Sequence, residues 1–379
     1  MPDISFKLDP ELIVGNNTLI RAGTVCGACG KRALLITEPN LHENQKIERL
    51  TGILGDSGIE TIVYNEIPAQ AKANAAEAAA TLARDARCTM VIAFGGLAVQ
   101  TIARITAIRA GSGAEISELL EGKTPEGNFL PLIAIPTTGR DPFLFTPYFI
   151  ALDPRDRLVK LIKVPRGLCA ALIFDGNILE PLTETAAAAF ALDGLCLSVE
   201  AYCSGRAGFL SDAFSEQAIL RYTRILQAYE EGQTGALGEE TANAGFLMAL
   251  GTAASAPGIG AALAYAISGR FPVDKSRCAA VLFPHILDKL IAARPEKIAR
   301  VAALMGEPAA PVAEMAAAAA ASLRRRMAAL RIPSRLQELN ISPDRLAAAA
   351  EAARNLGFVS FSPWTIAAED TFELLKRAF

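Results

Sequence analysis

The feature that most constrains this chain is a change of periodicity near residue 180. Before it, four short β-rich runs recur: Ala33-Leu34-Leu35-Ile36-Thr37, Thr61-Ile62-Val63-Tyr64, Met90-Val91-Ile92-Ala93 and Leu132-Ile133-Ala134-Ile135. Helical patterns lie between them, around Asn40 to Leu54 and Ala71 to Arg87. Runs that are apolar without alternation leave no face for water, so they predict a parallel sheet covered on both sides. Ligands of such sheets sit beyond the carboxyl ends of the strands. The informative loops are then those after Thr37, Ala93 and Ile135. After about Pro181, Ala/Leu-rich segments with helical spacing run to Phe379, broken at Gly205, Gly232 to Gly235, Pro257-Gly258 and Pro308 to Pro311. The reading is an α/β, Rossmann-like N-terminal domain with a parallel sheet over 1–180. An all-α C-terminal domain follows over 181–379, with the site expected in the cleft between them.

Composition removes several classes of function. Lys and Arg number 37 against 40 Asp and Glu, and no long basic run occurs, so no nucleic-acid partner is expected. Mean hydropathy is positive, +0.29, but alanine runs such as 186–189 and 316–321 supply much of it. No uncharged apolar stretch reaches the roughly 18 residues of a spanning helix, so no membrane partner is expected. The start, Met1-Pro2-Asp3-Ile4-Ser5, lacks a basic head and an apolar core, which predicts a cytoplasmic protein. Cys26-Gly27-Ala28-Cys29 is a lone CxxC without a second pair, and His42 and His285 are isolated. It reads as a glycine-rich turn before a strand rather than a zinc or redox site.

A set of landmarks then appears in order. These are Val14-Gly15-Asn16-Asn17, Thr37-Glu38-Pro39, Phe94-Gly95-Gly96-Leu97-Ala98 and Ile135-Pro136-Thr137-Thr138. They continue with Leu192-Asp193-Gly194-Leu195 through Glu200-Ala201, Leu282-Phe283-Pro284-His285 and Ser362-Pro363-Trp364-Thr365. Together they resemble the iron-type (group III) alcohol dehydrogenases of the dehydroquinate synthase-like superfamily, over essentially the whole chain. The resemblance implies a nicotinamide cofactor, NAD or NADP. Glu38 would meet the adenosine ribose, Gly95 and Gly96 the pyrophosphate, Thr137 and Thr138 the next loop, and Lys160 the nicotinamide. The chain departs from the pattern in that cradle. Where the family carries Gly-Gly-Gly-Ser and then an Asp and a Lys, it has Gly95-Gly96-Leu97-Ala98 with Thr101 and Arg104. The family's Pro-Thr-Thr-Ala-Gly-Thr-Gly-Ser-Glu is here Pro136-Thr137-Thr138-Gly139-Arg140-Asp141-Pro142-Phe143-Leu144. Leu97 is expected to crowd the phosphate, and to cost about 1–2 kcal/mol if its backbone must be left-handed.

The second departure concerns the metal. The resemblance implies a divalent ion on one Asp and three His, the first two ligands four residues apart on one helix face. Asp193 keeps the first position, while Leu197, Ala261 and Lys275 occupy the others, and Tyr265 stands where a non-ligand His often follows. No metal is expected. A catalytic trio of Lys275, Tyr265 and Asp193 is the metal-free substitute: the ammonium polarises a carbonyl, the phenol gives a proton, and Asp193 orients the lysine. The bland alternative is that Lys275 only neutralises a buried Asp193. Three functions follow. The first is a metal-independent oxidoreductase on a small alcohol, aldehyde or ketone. The second is a non-catalytic family member with a protein partner. The third is a lyase or synthase using Arg140, Arg270, Lys275 and Arg277 to hold an anion. A homodimer is implied by the resemblance alone. Cys196 reads as a packing residue, Gly258-Ile259-Gly260 as a helix start, and Arg324-Arg325-Arg326 as a solvated helix face.

Overall fold

The four apolar runs pair with one another. In the computed structural model they become β2 (Arg32–Thr37), β3 (Glu60–Tyr64), β4 (Met90–Gly95) and β5 (Leu132–Pro136), with β1 (Glu11–Gly15) and β8 (Cys169–Asp175) added beside them. The described residues are 6–39, 41, 45–68, 70, 72–179, 183–233, 237–343 and 346–379; His42 lies outside them. The chain divides into two units, Met1–Glu180 and Pro181–Phe379.

In the first unit the strand order is β1-β8-β5-β4-β2-β3, and every pairing is parallel. Helices α1 (Ala22–Cys29), α2 (Lys46–Asp56), α3 (Ala75–Asp85), α4 (Leu97–Ser112) and α5 (Ile116–Leu120) lie between strands. Alternate strand residues face opposite layers. Leu34, Ile36, Val91 and Ala93 join the core built with Ala76, Ala79, Ile102 and Ile105 of α3 and α4. Ala33, Leu35, Met90, Ile92 and Phe94 join the one built with Cys26, Leu50 and Leu54 of α1 and α2. Burial on both faces is why these runs show no alternation. Asp175, ending β8, accepts the N–H groups of Asn17 (3.1 Å) and Leu19 (2.9 Å), which fixes the Val14–Asn17 landmark.

Two sequence readings change here. An antiparallel hairpin, β6 (Tyr148–Asp153) and β7 (Leu158–Lys163), occupies a stretch that the four-run reading left unassigned. The CxxC is not a turn but the last turns of α1, closed by Gly30 at φ 143°. Burial, then the neighbouring Cys29, pushes the Cys26 thiol up to about 12, which removes the thiolate that redox or metal chemistry needs.

The second unit is helical: α6 (Glu184–Cys203), α7 (Phe209–Glu230), α8 (Gly238–Ala254), α9 (Ile259–Arg270), α10 (Lys275–Ala293), α11 (Pro295–Leu304), α12 (Val312–Ala329), α13 (Leu346–Arg354) and α14 (Ala368–Ala378). By length and composition α6 passes for a membrane span, but most of it is buried and it carries Asp193 and Glu200 in its buried stretch. It is a core helix. Gly194 lets α7 approach beside Asp193, since a Cβ there would lie 2.1 Å from the Tyr222 ring. The Arg324-Arg325-Arg326 run is neutralised one residue at a time, by Asp288, Glu307 and Glu230.

Candidate functional site

Chain order reverses between β2 and β4, the place where open parallel sheets hold ligands. Thr37 pairs with Phe94 and Gly95 with Pro136, so the ends of β2, β4 and β5 are neighbours. The Gly96 N–H donates to Glu38 Oε1 at 2.8 Å. A carboxylate thus sits on the N-terminus of α4, where unpaired N–H groups and the helix dipole favour negative charge. A Cβ at Gly96 would lie 3.2 Å from Glu38 Oε1 and 3.6 Å from Thr138 Cγ2, so glycine is what lets these groups close on the turn. Gln100 ties the turn from beneath, donating to Ala93 O (3.1 Å) and Gly95 O (3.2 Å). Its Oε1, with Thr37 Oγ1 and Thr137 Oγ1, is buried with no hydrogen-bond partner among the described residues. Sequence reasoning missed Gln100; a buried amide one turn into a helix after two glycines is the signal it carried.

Leu97 does not pay the expected strain. Gly96 caps α4 at φ −80°, and Leu97 opens the helix without a positive φ. The departures at Arg104 and in the loop after β5 are one feature: Arg104 Nη2 meets Asp141 Oδ2 at 3.2 Å, with both side chains buried. Asp141 also accepts the Phe143 N–H (2.9 Å), Thr101 Oγ1 donates to Ile150 O (3.1 Å), and the Arg104 guanidinium stands 5.8 Å from the Phe149 ring centroid. Glu38, Gly96 and Thr138 are therefore brought together, whereas Lys160 is engaged by Asp156 (2.8 Å) within the hairpin.

In the second unit Asp193 is completely buried on α6, and Lys275 opens α10, where the Asp274 side chain accepts the Ser276 N–H (2.8 Å). An ammonium at a helix N-terminus opposes the dipole, and Asp193 offsets this. Lys275 Nζ donates to Asp193 Oδ1 (2.7 Å) and Oδ2 (2.9 Å), and Ser276 Oγ donates to Oδ2 (2.7 Å). Tyr265 of α9 offers its ring face, with Nζ 4.8 Å from the centroid. The expected Lys–Tyr association is thus a cation–π contact. Leu197 of α6 and Ala261 of α9 are both buried apolar residues. Among the described residues no group of three or more His, Cys, Asp or Glu converges.

Glu200, also on α6, escaped the sequence reading as a site residue. It accepts the N–H groups of Gly260 (2.6 Å) and Ala261 (3.1 Å). Burial pushes its carboxyl up to about 7, against the lowering effect of those N–H groups, of Gly258 and of Lys275. The Cys196 thiol is pushed well above its usual range by burial, with Glu200 and Asp193 adding. It is a packing residue rather than a nucleophile. His285 is half-buried on α10, and burial lowers its pKa.

Residues 9–176 match the family described as iron-containing alcohol dehydrogenase, and residues 187–379 match the C-terminal region of the Fe-containing alcohol dehydrogenase family. The chain belongs to the iron-containing alcohol dehydrogenase family. It is 25% identical over 371 residues to the 1,3-propanediol dehydrogenase of Citrobacter freundii, covering 96% of each chain. It is 21% identical over 379 residues to the NAD-dependent methanol dehydrogenase of Bacillus methanolicus, covering 99% of each. The solved structure of a 1,3-propanediol oxidoreductase superposes with a TM-score of 0.93 at 24% identity, covering 100% of both chains. A sulfoacetaldehyde reductase from Bifidobacterium kashiwanohense, solved with NAD+, gives 0.86 at 15% identity, covering 100% of this chain and 99% of that one. An iron-containing alcohol dehydrogenase fold thus frames both sites: the Glu38–Gly96 turn at the switch point of the sheet, and the Asp193–Lys275 pair among the helices.

Proposed function

We propose that the chain is an NAD- or NADP-linked oxidoreductase of a small alcohol, aldehyde or ketone, in which the Lys275 ammonium takes the place of a metal. The observation that carries this reading is a buried cation fixed by two bonds to Asp193. Relatives named as dehydrogenases of 1,3-propanediol and methanol support the substrate class. A divalent ion does not fit the residues present. Asp193 already accepts from an ammonium and a hydroxyl, and Leu197 and Ala261 offer no donor atom.

An ammonium has three N–H groups. Two serve Asp193, and the third is the one to meet a substrate oxygen. In such a water-poor setting it stabilises negative charge growing on that oxygen. The Tyr265 hydroxyl delivers the proton that the oxygen takes up, while its ring steadies the ammonium. A nicotinamide, when bound, supplies the hydride to the carbonyl carbon, or accepts it in the alcohol direction. Glu38, Gly95, Gly96, Thr137 and Thr138 would hold the nucleotide, with Glu38 leaving the Gly96 N–H as phosphate arrives.

Titration of the protein with NADH and NADPH tests the cofactor: the reading expects micromolar binding, about −8 kcal/mol. Chelators should leave turnover unchanged, and Lys275→Met should lower it about 100-fold or more. Full turnover in that variant sinks the mechanism. The same contacts support a second reading, a non-catalytic member acting through a protein partner. Glu38 closes the α4 N-terminus and Asp193 saturates two of the lysine's bonds. No nucleotide binding up to millimolar concentration would favour it.

A further inference from the structure

Glu200 has no part in the chemistry above, yet the start of α9 is built around it. Its carboxylate joins α6 to α9 through Gly260 and Ala261. Glycine makes the room: a Cβ at Gly258 would lie 2.4 Å from Glu200 Oε1, and one at Gly260 2.9 Å. A cavity of about 10 Å³ adjoins it, lined among others by Glu200, Ser204, Gly258, Ser362 and Trp364. Two wall residues carry buried polar atoms with no hydrogen-bond partner among the described residues, Ser362 Oγ and Trp364 Nε1. Unpaired buried donors are costly. A space of one water's size with a carboxylate acceptor and two free donors is suited to a single ordered water. A larger cavity of about 510 Å³, lined by Arg354, Ser360 and Thr365, shares Ser362, Pro363 and Trp364 as a common wall.

We propose that Glu200, Ser362 and Trp364 enclose a one-water site through which Glu200 exchanges a proton with the larger cavity, making Glu200 a positioning residue whose charge sets how α9 is seated on α6. Because α9 carries Tyr265 and α6 carries Asp193, that seating governs the proposed proton donor. This last consequence rests on the function proposed above; the water site does not. Ionised, Glu200 only accepts, and it holds the N–H groups of Gly260 and Ala261 at full strength. Protonated, one oxygen becomes a donor and turns to the water, so the cap loosens. The groups that act on it are Cys196 and Cys203 of α6, Lys275 of α10 and the N–H groups of Gly258, Gly260 and Ala261.

The linkage has a definite sign. The carboxyl titrates near 7 when folded and lower when unfolded. Between the two values the folded state holds a proton that the unfolded state has released. The stabilisation is therefore complete below the unfolded value and is lost as pH rises through about 7.

Trp364 is the sole tryptophan, so the emission of the full chain reads this site directly. From about pH 5 to about pH 9 it should shift in one step with a midpoint about 7. Glu200→Gln should abolish the step, and His285→Asn should leave it. Hydrogen exchange at the Gly260 and Ala261 amides should change with the same midpoint. A flat wild-type profile, or a step that survives Glu200→Gln, overturns the proposal. If that variant does not fold, the wild-type chain serves: its Trp364 indole N–H should show an NMR cross-peak to bound water that Ser362→Ala weakens, and a wild-type chain without the cross-peak also overturns the site. None of these readouts needs a substrate. A titration present while Lys275→Met retains turnover would remove the proposed function and leave this site standing.

Discussion

The Glu38–Gly96 turn and the Asp193–Lys275 pair answer opposite local fields in the same way. At the head of α4 the local field favours an anion, and a carboxylate occupies it. Beside Asp193 the field favours a cation, and an ammonium occupies it. In each place the sign of the occupant matches the field around it. The two differ in permanence. Glu38 is partly exposed where it accepts the Gly96 N–H, so an incoming anion can reach it. Lys275 is buried and holds both oxygens of a wholly buried aspartate, so it cannot be displaced without leaving a bare charge.

That contrast can be broken by substitution. Lys275→Met should have the largest effect, lowering stability by about 3–5 kcal/mol in urea unfolding, because Asp193 is left uncompensated. Asp193→Leu on top of it should recover most of the loss. A single variant as stable as the parent would make the pair dispensable and end the comparison. Arg104→Met should cost about 2–3 kcal/mol by stranding Asp141. A double-mutant cycle with Asp141→Asn should return a coupling of about 1 kcal/mol or more. Additive effects would show that the α4 and β5-loop departures are separate after all.

The coupling of Arg104 to Asp141 illustrates where sequence reasoning stopped. The parallel sheet was legible because β2 and β4 are buried on both faces and so lose their alternation. The helical half was legible from its spacing. The Lys275–Asp193 contact was anticipated, since a buried carboxylate must find a cation. Arg104 and Asp141, 37 positions apart in the chain, looked like two unrelated losses; only the register of β4 beside β5 makes them one. Glu38 was assigned to a ribose; its bond to the Gly96 N–H at the head of α4 was not foreseen, because only the register of β2 beside β4 brings the two together. Glu200 was passed over inside a family landmark, although a carboxylate in an apolar helix needs donors and Gly258-Ile259-Gly260 is where a chain offers them without side chains in the way.

Smaller effects sharpen the difference in permanence. Glu38→Ala should cost about 1 kcal/mol as a lost helix cap. It should also tighten binding of inorganic diphosphate about tenfold, or about 1.4 kcal/mol by calorimetry. Unchanged diphosphate affinity would mean that the carboxylate does not guard the turn. Lys160→Ala removes a partly exposed pair with Asp156 and should change stability by less than about 0.5 kcal/mol. Whether NADH affinity falls in that variant decides if Lys160 has a role beyond the hairpin.

The Asp193–Lys275 bond also sets an order on engineering. Histidines placed at 197 and 261 would meet a position already filled by an ammonium, and removing the lysine first leaves a chain with a stranded charge. Neither single step is an improvement on its predecessor, so any route to a metal-binding helix pair crosses a valley. A single ion pair between two helices thus works as a ratchet on redesign.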